Sequence, residues 1–100
     1  MTSGFGVTPA AVDASAATET GIGAEMAATT AAGAAALTGV TPMAADTDSA
    51  AFAVALNATG VSYLAAMSEH VEQRTGVAGA QSLASMTYQA VDAIHGTALG

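Results

Sequence analysis

Apolar positions recur along this chain with helical spacing and nowhere alternate with the two-residue period of a strand. An alanine-rich run covers residues 10–36, and alanine has the highest intrinsic helix propensity. Thr8 supplies a helix cap, Pro9 suits the first helical position, and Gly39 supplies a stop signal. The pattern therefore predicts an all-α fold whose first helix covers about residues 9–38.

A second helix is predicted after a turn at residues 39–45. Asp46 and its neighbours offer caps and an acidic first turn. Large apolar residues then recur at helical steps and form one stripe: Phe52, Leu56, Tyr63, Met67 and Val71. Val54 and Val61 form a weaker strip on the back, so this helix needs two neighbours. The first helix is one of them, folded back into a long antiparallel hairpin.

The helical signal weakens near Gly76 and Gly79, which fits a kink, a break or continuous helix. We expect the second helix over about residues 46–75 and a C-terminal helical segment over about 80–95. One face of that segment is apolar: Leu83, Met86, Ala90 and Ile94. Tyr88 and Asp92 are four residues apart and project away from this face, towards solvent.

Composition limits what this single 100-residue domain, residues 1–100, does by itself. Hydrophobic residues make up 52% of the chain, but more than half of them are alanine, which removes little area from water. A self-sufficient core is therefore doubtful, and the shortage predicts a partner surface.

Charge excludes two classes of partner. The formal net charge is −7 with a single basic residue, Arg74, so the chain lacks the cations that bind nucleic acid or an anionic membrane. Insertion of the uncharged stretch at residues 26–45 into a membrane is not expected, because it consists mainly of Ala, Gly and Thr. The N-terminal residues show neither the basic nor the apolar region of a secretory signal peptide.

The sequence offers no constellation for catalysis, a cofactor or a metal. The glycines at residues 21 and 23 resemble half of a dinucleotide loop but lack the third glycine and a preceding strand. Glu69, His70 and Glu72 are close in sequence but not at the spacing of helical metal ligands. We therefore predict that the protein is not an enzyme.

Several of these residues resemble the PE proteins of mycobacteria. Val7-Thr8-Pro9 before an alanine-rich helix is similar to the family's opening, although Ala10 stands where the family has glutamate. The turn sequence Pro42-Met43-Ala44-Ala45-Asp46 and the position of Tyr63 are also similar. Tyr88-Gln89-Ala90-Val91-Asp92 resembles the Tyr-x-x-x-Asp/Glu signal of type VII secretion substrates. The resemblance implies an α-helical hairpin that heterodimerises with a PPE protein, completes a four-helix bundle and is exported.

Under that resemblance Tyr88 and Asp92 are the secretion signal, and the protein is cytoplasmic before export and secreted or surface-located afterwards. The expected partner interface combines the larger side chains of both helices: Phe52, Leu56, Tyr63, Met67, Val12, Ile22 and Met26. Packing of the first four against the chain's own first helix is the competing interpretation. The alternative function is a self-associating structural or cell-surface protein, in which two hairpins form the bundle.

Overall fold

The computed structural model describes residues 6–99, and within that range it contains two helices and no strand. Helix α1 covers Pro9–Thr38 and helix α2 covers Thr47–Leu99. The predicted all-α class is confirmed, and the two helices are consistent with a hairpin. A four-helix bundle needs a second chain and stays a prediction. Residues 1–5, on which the expectation about a signal peptide partly rests, lie outside the described residues.

Helix α1 begins and ends at local sequence signals. The Thr8 carbonyl accepts hydrogen bonds from the backbone N–H groups of Ala11 (3.0 Å) and Val12 (3.2 Å), which makes Thr8 the cap of the first turn. At the other end a Cβ on Gly39 would lie 2.6 Å from the Ala35 carbonyl oxygen. No described glycine has a positive φ, so Gly39 ends α1 by allowing a close backbone approach rather than by a left-handed cap.

Helix α2 begins with a capped first turn. The backbone N–H of Ser49 donates to Asp46 Oδ1 (2.7 Å), and the Ser49 hydroxyl donates to Oδ2 (3.0 Å). These two hydrogen bonds favour the ionised carboxylate and lower the pKa of Asp46 below its ordinary 3.8. The Asp46 carbonyl also accepts from the Ala50 N–H (3.1 Å), so both polar ends of this residue stabilise the turn.

Of the alternatives that the sequence leaves open near Gly76 and Gly79, the structure has continuous helix, because α2 joins the segments at about 46–75 and 80–95. Gly76 and Gly79 lower intrinsic helix propensity, at a cost of about 1 kcal/mol each. Both lie at exposed positions, where an added Cβ would meet nothing within 4 Å, so they interrupt no packing. The flanking residues Arg74 and Ala78 are partly or fully buried, which keeps this stretch of α2 helical.

The less exposed residues of α2 follow a heptad pattern. The predicted stripe of large side chains does not follow it. Within residues 53–85, Ala84 aside, the less exposed residues recur at alternating steps of four and three. They are Ala53, Asn57, Gly60, Leu64, Met67, Val71, Arg74, Ala78, Gln81 and Ser85. In α1 the same alternation runs through Pro9, Val12, Ala16, Glu19, Gly23, Met26, Thr30, Gly33 and Leu37. We call these two sets the seam.

The predicted single stripe on α2 is wrong, because its members divide between the seam and the exposed surface. Met67 and Val71 lie on the seam, whereas Phe52 and Tyr63 are exposed. The 19 residues from Phe52 to Val71 turn about 100° beyond five full turns at ~100° per residue. A stripe with those steps drifts around the helix, while the alternating steps of the seam stay on one face.

The chain divides into two compact units. The turn unit is Gly23–Gln73, and the terminal unit combines Met1–Ile22 with Arg74–Gly100. Among the described residues the buried hydrophobic side chains are all alanine: Ala16, Ala53 and Ala78. Such a seam permits close helix approach but removes little apolar area from water.

Candidate functional site

The turn unit contains a close approach between the backbones of α1 and α2. A Cβ added to Gly60 would collide with the Leu37 carbonyl oxygen and would lie 2.7 Å from the Leu37 carbonyl carbon. Both of those atoms belong to the backbone, so neither can turn aside as a flexible side chain would. Gly60 is therefore required for α2 to pass the end of α1 at this distance.

An amide beside this crossing ties the turn to α2. Asn57 Oδ1 accepts from the Val40 N–H (2.8 Å), and Asn57 Nδ2 donates to the Val40 carbonyl (3.0 Å). One side chain thus satisfies both backbone polar groups of a residue that follows α1. Neither Asn57 nor Gly60 was singled out from the sequence. Both lie in the heptad register of the seam, which their residue types alone do not reveal.

Apolar grooves lie on the surface of the turn unit around these contacts. The groove at the turn has a volume of about 440 Å³ and is lined by Val40, Thr41, Pro42, Met43, Asp48, Ser49, Phe52, Ala53 and Leu56. A neighbouring groove of about 290 Å³ shares Val40 and Leu56 and adds Tyr63, Thr59 and Ala36 to its lining. We call the surface formed by the exposed residues Phe52, Leu56, Tyr63 and Ala36 and the half-buried Val40 the apolar face.

A third groove opens elsewhere on the same unit. It has a volume of about 370 Å³, and it contains the seam residues Leu64 and Met67 together with Ala27 and Ala34. Its lining consists of smaller side chains than that of the apolar face. The turn unit therefore presents its largest apolar side chains on the Leu56 and Tyr63 side.

The structure divides the residues expected at the partner interface. Phe52 is 63% exposed, Tyr63 is 52% exposed and Leu56 is 40% exposed, so these three side chains are available to another molecule. The other members are less exposed. Val12, Met26 and Met67 lie on the seam, and Ile22 lies directly beside it.

The terminal unit has a seam held by polar contacts. Arg74 Nη1 lies 2.8 Å from Glu19 Oε2, and Gln81 Nε2 donates to Ser15 Oγ (2.9 Å). The Gln81 Oε1 atom is buried and has no hydrogen-bond partner among the described residues. Sequence reasoning missed these pairs, because polar residues on an inner helix face give no hydrophobic signal.

Ser85 closes this seam at the start of α1. Its side chain is fully buried, at 0% exposure, and its hydroxyl donates to the Pro9 carbonyl (3.2 Å). Gln89 Nε2 donates to Ser85 Oγ (3.2 Å), so the Ser85 hydroxyl connects the first residue of α1 to the next turn of α2. This three-residue contact is the last on the seam before the Tyr88 to Asp92 segment.

The structure places both residues of the expected secretion signal at exposed positions. Tyr88 is 41% exposed, and Asp92 is exposed in the next turn of α2. The predicted apolar face of this segment is not covered either, since Leu83, Met86 and Ile94 are each more than 60% exposed. The covered face is the one through Ala78, Gln81 and Ser85, because the α1 residues opposite it are small.

The described residues offer no metal centre, and one helix has membrane-compatible composition. Within residues 6–99 no group of three or more His, Asp or Glu residues could hold a metal ion. A stretch of α2 within Thr47–Ala98 is long and apolar enough to cross a membrane by those two criteria alone. This is weak evidence for a span, and it does not concern the stretch at residues 26–45 that the sequence singled out.

Comparison with known protein families gives a match over most of the chain. The model of the PE family matches residues 5–95. No curated protein and no solved structure matches the chain. The family match covers nearly the whole chain and confirms the resemblance seen in the sequence.

Proposed function

Since the chain belongs to the PE family, we propose that it is a non-enzymatic protein that pairs with a PPE-type protein and is exported by a type VII secretion system. The observation that carries the pairing is the contrast between the core and the surface. The buried hydrophobic side chains of the described residues are alanines, while Phe52, Leu56 and Tyr63 are exposed. Covering the apolar face with a second helical hairpin supplies the burial that this chain lacks by itself.

The apolar face is the proposed interface, and it lies on one defined side of α2. Leu56 and Tyr63 are seven residues apart and share that side, with Phe52 one turn before Leu56. Val54 lies about 160° around the helix from Leu56 and is more exposed, at 69% against 40%. Aromatic side chains contribute much of the binding free energy of interfaces, so Phe52 and Tyr63 are the expected hot spots.

A matched pair of substitutions tests the pairing. Co-expression of the chain with a PPE-type partner is expected to give a stable complex in gel filtration. Leu56→Asp places a charge on the apolar face and is expected to abolish that complex. Val54→Asp adds the same charge on the opposite side and is expected to leave the complex intact. Loss of pairing with Val54→Asp alone would move the interface to the other side of α2.

Export rests on Tyr88 and Asp92. Tyr88→Ala and Asp92→Ala are expected to leave the protein in the cytoplasm of a host that carries the secretion system, while the complex with the partner persists. Asp13→Ala is the control, because it removes one exposed acidic residue elsewhere in the terminal unit. Normal secretion of both the Tyr88 and Asp92 variants would overturn the export signal.

Self-association is the second use of the same surface, and net charge opposes it. Each chain carries a formal net charge of −7, so two copies that meet through their apolar faces repel each other. Sedimentation of the chain without a partner separates the two functions. A stable homodimer at low salt would favour the self-associating protein over the PE and PPE pair.

A further inference from the structure

The segment from Tyr88 to Asp92 continues the register of the seam. Counting from Ser85, Tyr88 follows after three residues and Asp92 after four more, which are the same alternating steps that connect Ala78, Gln81 and Ser85. Tyr88 and Asp92 therefore lie on the face of α2 that contacts α1 earlier in the terminal unit. They are exposed although they occupy seam positions.

Tyr88 and Asp92 lie beyond the position on α2 that contacts the first residue of α1. Pro9 is the first residue of α1, and its carbonyl is hydrogen-bonded to Ser85, the last buried residue of α2. From Met86 to Ala98 every residue of α2 is exposed. Gly6, Val7 and Thr8 precede Pro9 and are not helical, so the described part of α1 provides no helical turn opposite Tyr88.

The chemistry of proline explains why α1 begins there. The ring of Pro9 clashes with the helical conformation of the residue before it, and Pro9 has no N–H to donate to an earlier turn. Thr8 accordingly caps the helix, through hydrogen bonds that its carbonyl accepts from Ala11 and Val12. Thr8 and Pro9 together therefore fix the start of α1 at this position.

We propose that Pro9 fixes the length of α1 so that Tyr88 and Asp92 form the first uncovered turn of the seam, with Ser85 marking the boundary. This inference rests on the proposed export signal and adds the element that presents it. Ser85 and Gln89 are positioning residues: Gln89 lies between Tyr88 and Asp92, and its bond to Ser85 connects that turn to the start of α1. A longer α1 would cover the two signal residues with its next turns.

The experiment extends α1 by one heptad, in two versions. Seven uncharged helix-forming residues, with small apolar residues at the seam positions, are inserted between Thr8 and Pro9. One version carries Pro9→Ala, so that the helix can extend, and the matched control keeps Pro9, so that it cannot. Both are made in the full chain and co-expressed with the partner, and modification is read at Tyr88 alone by mass spectrometry of the peptide that contains it.

The first measurement is the rate at which N-acetylimidazole modifies the Tyr88 hydroxyl. We expect a several-fold slower reaction in the Pro9→Ala extension and an unchanged rate in the control that keeps Pro9. Equal rates in the two versions would overturn the proposal, because the seam would then not continue through Tyr88. This measurement does not depend on export.

The second measurement is secretion of the same two proteins. We expect the Pro9→Ala extension to stay in the cell and the control to be secreted. Secretion of an extension whose Tyr88 is shielded, or retention of both versions, would overturn the presenting role of Pro9. If Tyr88→Ala is itself secreted normally, the export signal fails, whereas the modification rates still report the register of the seam.

Ser85→Ala tests the boundary residue, with Ser82→Ala as its control at an exposed position of the same helix. We expect faster hydrogen exchange of the amides from Met86 to Asp92 and reduced secretion for Ser85→Ala, with pairing retained. Ser85→Thr keeps a hydroxyl and is expected to restore secretion in part. Secretion of Ser85→Ala at the level of the Ser82→Ala control would show that Ser85 does not position the signal.

Discussion

The turn unit and the terminal unit use the same heptad seam with opposite chemistry. In the turn unit the seam combines Leu37, Leu64, Met67 and Val71 with a close backbone crossing at Gly60. In the terminal unit the described seam contacts are an ion pair and hydrogen bonds between side chains and to Pro9. Burial of apolar surface stabilises a fold in proportion to the area that is buried. A polar pair gives only a small net stabilisation, because both groups give up hydrogen bonds to water when they pair. Among the described contacts, the turn unit therefore relies more on large, partly covered apolar side chains and the terminal unit more on polar pairs.

The largest expected effect is on the backbone crossing of the turn unit. Gly60→Ala forces a Cβ onto the Leu37 carbonyl, and we expect a loss of about 3 kcal/mol in urea unfolding. Gly76→Ala is the matched change in the terminal unit, where a Cβ meets nothing within 4 Å. It is expected to stabilise the helix by roughly 0.5–1 kcal/mol. Equal effects of the two substitutions would remove the distinction between the units.

The next largest loss of stability is expected from replacing an amide side chain of the turn unit, and an amide side chain of the terminal unit serves as the comparison. Asn57→Ala leaves the Val40 N–H and carbonyl without their partner, and we expect a loss of about 2 kcal/mol. Gln81→Leu removes an amide whose Oε1 is buried without a partner, so the change is expected to lie within about 0.5 kcal/mol of the parent. Urea unfolding of both variants measures the difference. A larger loss for Gln81→Leu would place the critical amide in the terminal unit.

A smaller effect is expected for the ion pair. Arg74 and Glu19 side chains are 40% and 26% exposed, so solvent screens their attraction. A double-mutant cycle with Arg74→Met and Glu19→Gln is expected to give a coupling free energy below about 1 kcal/mol. The coupling should fall further between low and high salt. A coupling that is large and insensitive to salt would contradict a mainly apolar source of stability.

The smallest effect concerns the cap of α2 and appears only in acid. Because hydrogen bonds from Ser49 lower the pKa of Asp46 in the folded chain, its carboxylate stabilises the fold at pH values above its ordinary 3.8. This stabilisation is lost as the pH falls through the lowered pKa of Asp46 in the folded chain. Unfolding midpoints measured from about pH 5 to pH 2 should therefore fall less steeply for Asp46→Asn. Parallel pH profiles would show that the cap does not couple to folding.

The sequence predicted those features that depend on local chemistry. Thr8 and Pro9 are local signals, and α1 begins at them; Asp46 is another, and it caps α2. The family resemblance rested on short motifs and is confirmed over residues 5–95. The exposed positions of Tyr88 and Asp92 also follow from helical spacing, although the face on which they lie does not.

The seam escaped prediction because many of its residues are small or polar, while larger members such as Met67 and Val71 were assigned to the predicted stripe. Gly60, Asn57 and Ser85 carry no hydrophobic signal, yet each of them contacts the backbone of α1 or of the residues that follow it. The large side chains that define a periodicity, such as Phe52 and Leu83, lie mainly on exposed faces. Hydrophobic periodicity therefore identified mainly exposed positions. The low helix propensity of glycine suggested an interruption of α2, which the exposed glycines do not cause.

The ion pair of the terminal unit has a consequence for how the protein meets other molecules. Arg74 is the only lysine or arginine of the chain, and its guanidinium is engaged by Glu19. The remaining acidic residues have no basic counterpart, so the long-range potential around the molecule is negative. Electrostatic steering then accelerates the approach of basic surfaces and slows that of acidic ones, and salt reduces both effects. The encounter rate with any partner is thus set by charge before the apolar face makes contact.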